Sequence, residues 1–271
     1  MKIALITGAS SGLGAEACKQ LIIEQQFKVI GLGRNQAQLE QMKATFGDAF
    51  DFLICDFADL KSLDNVVSFI FKNYKQIDVL INNAAVNLDH REETKQGYEM
   101  HFGVNYLAAF YLTYRLLSLL KAAPQGRIIN VGATQLATEF LWKDYNLPID
   151  KWKNISAITN AKLAIFMFTK AISRQLMGTN VTANVLDPGL IRTPYHDKSS
   201  FIVKLFVWLV GKKPFIVVKE NHVWLATSPS LNKVSGNFFS FKKEKKLKGD
   251  AIDEEKCKRL WQLSLVLCQI Q

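Results

Sequence analysis

The chain has 271 residues, 49% of them hydrophobic and 21% charged, with a formal net charge of +10. A chain of this size buries roughly 75% of its unfolded surface, so it needs neither a disulfide nor a metal to hold its core. The four cysteines (Cys18, Cys55, Cys257, Cys268) form no CxxC pair, and the four histidines (His90, His101, His196, His222) share no ligand spacing with them, which argues against a metal site and for reduced structural thiols in a cytoplasmic protein.

The chain opens with "MKIALITGAS", apolar for only a few residues before a glycine motif, which reads as a first strand rather than a targeting segment. Further strand candidates follow in order: "KVIGLG", "FDFLICD", "IDVLIN", "GRIINVG", "VTANVLD" and "GNFFSF". Each is a short apolar run, as strands buried on both faces are. Between them stand stretches with helical spacing: "EACKQLIIEQQ", "QAQLEQMKATF", "LDNVVSFIFKNY", the long "FGVNYLAAFYLTYRLLSLLKAA" and "NAKLAIFMFTKAISRQLMG". This alternation predicts one α/β domain over residues 1–271, a Rossmann-type doubly wound parallel sheet of about seven strands with helices on both faces. A segment at about 195–218 breaks the alternation and reads as an insertion before the last strand. Its apolar run "FIVKLFVWLV" is too short to cross a bilayer core of ~30 Å. The lysine-rich "FKKEKKLKG" reads as a solvated loop, or else as a surface for anionic membrane or an acidic partner; no nucleic-acid motif accompanies it.

"TGASSGLG" links the first strand to the first helix. Gly8, Gly12 and Gly14 let the backbone turn tightly and approach a pyrophosphate, and Ser10, Ser11 and Leu13 complete the turn, where the helix start offers unpaired N–H groups and a positive dipole end. At the end of the second strand, in "GLGRN", no carboxylate waits for a ribose 2′-hydroxyl. Arg34 offers a planar cation instead, suited to a 2′-phosphate. The expected cofactor is therefore NADP(H).

Taken together these residues resemble the short-chain dehydrogenase/reductase family over nearly the whole chain. "TGASSGLG" is similar to its TGxxxGxG loop, "CDF" puts Asp56 at the adenine, "NNAA" (with Asn83 and Ala84) resembles its NNAG segment, and "VNYLA" places Asn105 at its helix asparagine. "DPGLIRT" resembles the segment near the nicotinamide, bringing in Pro188, Gly189 and Thr193. The final third, with "HVWLATSPSLNKVSGNFFSFKKEKK", is similar to the retinol-dehydrogenase and protochlorophyllide-reductase branch, which handles bulky apolar small molecules.

The resemblance also implies a catalytic Asn, Ser, Tyr and Lys. Asn105 and Lys162 are present, but the tyrosine position is Ile158 and the serine position is Ala133. The two groups that would touch a substrate oxygen are gone, and the lysine that would bind the nicotinamide ribose remains. Thr134, Thr159, Tyr145 and Tyr195 are the candidates to replace them, Thr134 as an oxygen ligand. The segment "YHDKSSFIVKLFVWLVGKKPFIVV" stands where the family folds a substrate lid. Its stripe of Phe201, Leu205, Trp208 and Leu209 packs on the sheet, lines a pocket, or meets a membrane surface with Lys212 and Lys213 at the headgroups. His196 reads as a lid residue. The long central helices permit a homodimer, or are buried within one chain. Three functions follow: an atypical NADP(H)-dependent oxidoreductase, with Asn105, Lys162 and Thr134 as its catalytic groups; an inactive NADP(H)-binding regulatory or scaffold protein; or a non-redox cyclase or isomerase using the same pocket.

Overall fold

The computed structural model describes residues 1–189 and 216–270. Seven strands lie parallel, in the order 3-2-1-4-5-6-7: β1 (Ile3–Thr7), β2 (Lys28–Gly33), β3 (Phe50–Ile54), β4 (Val79–Asn82), β5 (Gly126–Val131), β6 (Val181–Asp187) and β7 (Phe238–Ser240). An eighth, β8 (Lys243–Lys245), runs antiparallel to β7. The expected seven strands are thus present with one addition, inside the lysine-rich run read as a loop. Phe241 and Lys242 make the two-residue turn with φ of 51° and 60°, which matches the twist of a hairpin despite the absence of Asn or Gly.

Helices cover both faces, because consecutive parallel strands must be joined by crossovers. On one face α1 (Gly12–Ile23), α2 (Gln36–Phe46) and α8 (Ile216–Thr227) pack Ala17, Cys18, Leu21, Leu39, Val223 and Leu225 against Ala4 and Ile6 of β1. On the other, α3 (Leu60–Asn73), α5 (Ala108–Arg115) and α7 (Asn154–Gln175) meet Leu5, Ile30 and Ile128. Residues 216–218, expected in the lid insertion, belong to the first turn of α8.

The long central helix expected from "FGVNYLAAFYLTYRLLSLLKAA" is divided. It comprises α4 (Met100–Phe102), a π-helical turn (Gly103–Leu107), α5 and α6 (Leu117–Ala122). The π turn holds Asn105, whose amide accepts from Val86 N–H at 2.7 Å and donates to Val86 O at 3.0 Å. A C-terminal helix, α9 (Glu254–Leu267), lies over α5 and α7. Trp261 meets Phe110 edge-on at 5.0 Å and stacks on Phe168 at 6.0 Å, and the Tyr106 hydroxyl bonds Ser264 at 2.5 Å. Within the chain Tyr106 and Phe110 of this apolar stretch are buried, as is Phe168 of α7. α7 is apolar nearly all round because it lies between the sheet and α9. The four cysteines are free and buried, and burial pushes all four thiols up, Cys257 to about 11.

A buried polar chain fixes the middle of the sheet to both helices. Asn82 of β4 donates to Thr113 of α5 at 2.9 Å and to Asn130 of β5 at 2.8 Å, and Asn130 donates to Thr169 of α7 at 2.8 Å. Through these bonds the amides hold α5 and α7 in register behind the C-terminal ends of β4 and β5, although Asn82 Oδ1 itself has no partner among the described residues. The strand order reverses between β1 and β4, and a crevice at that switch point is where a doubly wound sheet takes its ligand.

Candidate functional site

The glycine loop after β1 is built against the segment after β4. Thr7 Oγ1 accepts from the N–H groups of Asn83 and Ala84, each at 2.8 Å, and Asn83 Nδ2 donates to Thr7 O at 3.0 Å. Gly8 has φ +68°, and a Cβ there would lie 3.0 Å from Ala84 Cα; a Cβ on Gly14 would stand 2.2 Å from the Gly8 carbonyl oxygen. Both positions need glycine, the first for its backbone angle and the second for helix–loop contact. The residue before α1, Ser11, is extended and makes no side-chain cap, and no acidic residue stands in the first turn. The first N–H groups therefore keep their bonding capacity and the positive end of the helix dipole for an anion.

This loop opens into a cavity of about 490 Å³. Of the predicted cofactor residues, Gly8, Ser10, Ser11, Gly12, Leu13, Arg34, Asp56, Asn83, Ala84, Lys162 and Pro188 line it. Gly14 does not, but it seats the helix beneath the loop. Gly189 lies just outside, at φ +75° against the ring of Phe241. Thr193 is outside the described residues. Arg34 is exposed, and among the described residues no ion pair engages its guanidinium. Asp56 accepts from Ala58 N–H at 3.0 Å, and its own N–H donates to Ser62 Oγ at 3.0 Å, which fixes the turn after β3. The volume suits a small-molecule ligand. The uncapped helix start suits a pyrophosphate, and the free guanidinium suits a further phosphate. The residues present thus fit a phosphorylated dinucleotide.

A second pocket of about 270 Å³ adjoins the first, and Lys162 lines both. Ala133, Leu136, Ile158, Leu163 and Phe166 make its wall largely apolar, with Thr134, Asn87 and Asn154 among its polar members. Ile158 and Lys162 are four apart on α7 and share a face. Lys162 Nζ donates to Val131 O at 2.9 Å. Burial lowers the lysine to about 8, against the opposing pull of Asp187.

The residues expected to stand in for the family's tyrosine and serine have distinct fates. Tyr145 is half-buried, packs on Phe102 with ring centroids 5.4 Å apart and lines neither cavity, so it is not placed as a substitute acid. Among the described residues no tyrosine lines either cavity. Thr159 lies at the second pocket, but its hydroxyl is returned to its own helix, at 2.6 Å from Ile155 O. Thr134 lines the pocket at its exposed mouth and donates to Asp187 Oδ2 at 3.0 Å. Tyr195, His196, Phe201, Leu205, Trp208, Leu209, Lys212 and Lys213 lie outside the described residues. Asn105, expected among the catalytic groups, lines neither cavity. Its amide is closed on the backbone of Val86, so it positions the wall of the first cavity.

Four residues were missed. Asp187, buried at the end of β6, accepts from Gly189 N–H at 2.8 Å on one oxygen and from Thr134 and Ser240 on the other. Its place at a strand's C-terminal end, directly before "PG", was the available signal. Glu99 and His101 form a buried pair at 2.7 Å beneath the pocket loop. Leu88 N–H donates to His101 Nε2 at 3.1 Å, so Nδ1 carries the proton given to Glu99. Burial would raise the Glu99 carboxyl, but bonds from His101, Phe102 N–H and Trp152 outweigh it and hold it below the ordinary carboxylate range. Asn154 clamps the same loop, donating to Asn87 Oδ1 at 2.8 Å and to Leu88 O. No sequence spacing marks this support.

Comparison with known proteins gives the family and the fold. Residues 2–200 match the family model described as short chain dehydrogenase. The chain is 34% identical over 274 residues to retinol dehydrogenase 13 of Mus musculus, covering 96% of this chain and 81% of that protein. It is 30% identical over 279 residues to polyprenol dehydrogenase of Homo sapiens, covering 97% and 84%. Among solved structures, a protein of Mycobacterium Paratuberculosis superposes with a TM-score of 0.79 at 23% identity, covering 99% of this chain and 94% of that one; that likeness concerns the fold.

Proposed function

The chain belongs to the short-chain dehydrogenase family, whose members are oxidoreductases using nicotinamide cofactors, and from that premise we propose that it binds NADP(H) and acts on a bulky apolar substrate without the usual tyrosine–serine pair. One observation carries the reading: Lys162 lines both a cavity with a phosphate-ready helix start and an apolar pocket from which the tyrosine and serine hydroxyls are missing. The cofactor supplies hydride chemistry at its nicotinamide. The chain's part is to hold it, with the loop at Gly8 to Gly14 under the pyrophosphate, Arg34 at the 2′-phosphate and Lys162 at the ribose, and to seat substrate beside Ala133 and Ile158. Exposed Leu136 and Ile155, 68% and 59% accessible, rim that pocket and suit entry of an apolar chain. The names of the two relatives, retinol and polyprenol dehydrogenase, speak for the same substrate class.

The test is a nicotinamide absorbance change with a panel of apolar enones, imines, alcohols and aldehydes. The exchange of both hydroxyl groups for hydrocarbon also favours a second reading, an NADP(H)-binding protein that regulates or scaffolds; tight cofactor binding with no turnover on any of the panel selects it. For the cofactor itself, Arg34→Ala is expected to weaken NADPH by roughly tenfold or more, the size of a charged hydrogen bond, and to leave NADH nearly unchanged. Isothermal titration reads both, and equal losses would remove the 2′-phosphate assignment.

A further inference from the structure

Resting on the reading of the apolar pocket as the substrate site, we infer that Asp187 is a positioning residue that makes Thr134 a hydrogen-bond acceptor, so that the pocket selects a hydroxyl head group over a carbonyl. Asp187 is buried at the end of β6. Three donors converge on its two oxygens: Gly189 N–H on Oδ1 at 2.8 Å, and the hydroxyls of Thr134 at 3.0 Å and Ser240 at 3.3 Å on Oδ2. A carboxylate offers acceptors only, so both hydroxyls turn their single hydrogens toward it. Asp187 lines neither cavity and lies behind the wall. Thr134 lines the pocket, and with its hydrogen committed it presents lone pairs there. Lys162, on the same pocket, offers donors only.

A head group that meets both must donate to one and accept from the other. An alcohol does both; an aldehyde or ether can only accept. The gain is one neutral hydrogen bond.

Asp187→Asn tests this by polarity at nearly constant shape. Gly189 N–H keeps the amide oxygen on its side, so the amide nitrogen falls where Oδ2 was. It then donates to Thr134, whose own hydrogen is released toward the pocket. The preference is therefore expected to invert, an outcome that loss of packing alone would not produce.

The experiment displaces a fluorescent apolar probe from cofactor-free protein with decanol, decanal and decyl methyl ether. Wild type is expected to prefer decanol about fivefold; Thr134→Val abolishes the preference, and Asp187→Asn turns it toward decanal. Thr134 is exposed, so its valine variant does not depend on refolding a core and keeps the test decisive if Asp187→Asn fails to fold. No decanol preference in wild type, or a preference that survives Thr134→Val, overturns the inference. NADPH titration of the same samples separates it from the proposed function: lost nucleotide binding with an intact decanol preference fails the latter alone, and turnover without the preference fails the former alone.

Discussion

Ile158→Tyr combined with Ala133→Ser is expected to raise NADPH-dependent reduction of small carbonyls by ~10² or more, within the ~10²–10⁴ that positioned acid–base catalysis supplies. The expectation follows from where the two positions lie. Ile158 stands four residues before Lys162 on α7, so a tyrosine there shares the lysine's face, and both residues line the apolar pocket. Lys162, held by Val131 O at 2.9 Å, then places a cation near the phenol, which lowers a tyrosine's pKa. Ala133 lies on the same pocket after β5, where a serine hydroxyl can steady the substrate oxygen. Ile158→Tyr alone is expected to carry most of the gain, and Ala133→Ser alone little, because a neutral hydroxyl without an acid moves no proton. The larger tyrosine reduces a pocket of about 270 Å³, so short aldehydes and small cyclic ketones are the substrates to assay, with wild type as the baseline. A double variant that binds NADPH yet stays inert on all of them would show that the pocket lacks more than its acid.

The parallel sheet was legible because its strands are continuous apolar runs bounded by glycines and turns. The ranges "KVIGLG" and "VTANVLD" coincide with β2 and β6. The glycine loop was legible from its spacing between a strand and a helix, although the backbone contact against Gly8 comes from Ala84, far along the chain. Features made by distant partners were not. β8 exists because β7 offers an edge, and its lysines face water, so composition alone reads it as loop. The π turn at Asn105 depends on reaching Val86, and the cover over α5 depends on Trp261, well over a hundred residues further on. Asp187 stands in both a strand-like and a turn-like run, yet its meaning comes from Thr134 and Ser240, each 53 residues away. That Ile158 and Ala133 stand where the family pattern has tyrosine and serine rests on the resemblance alone, whereas the orientation of the surrounding residues required coordinates.

Lys162→Met is expected to make the protein more stable and less able to hold its cofactor, the signature of a charge kept for function at a cost to the fold. Burial lowers this lysine from its ordinary 10.5 to about 8, while Asp187 pulls the other way; Arg34 and Asp56 line the same cavity. That lowering corresponds to ~3 kcal/mol against the charged form, an upper figure because the side chain is not wholly sealed from water. Between pH 8 and 10.5 the unfolded chain retains a proton that the folded chain has released, so wild-type stability rises with pH across that window; below pH 8 both states are protonated and the whole penalty stands. Methionine removes the penalty but leaves Val131 O without its donor, a loss of ~1 kcal/mol. The variant should therefore gain ~1–2 kcal/mol at pH 7 by urea denaturation, and the gain should vanish by about pH 10. Its NADPH affinity should fall by at least roughly tenfold, since a charged donor to the ribose contributes ~1.5–3 kcal/mol. If Lys162→Met proves less stable at pH 7 and binds NADPH as tightly as wild type, the lysine is a structural residue and has no part in holding the nucleotide.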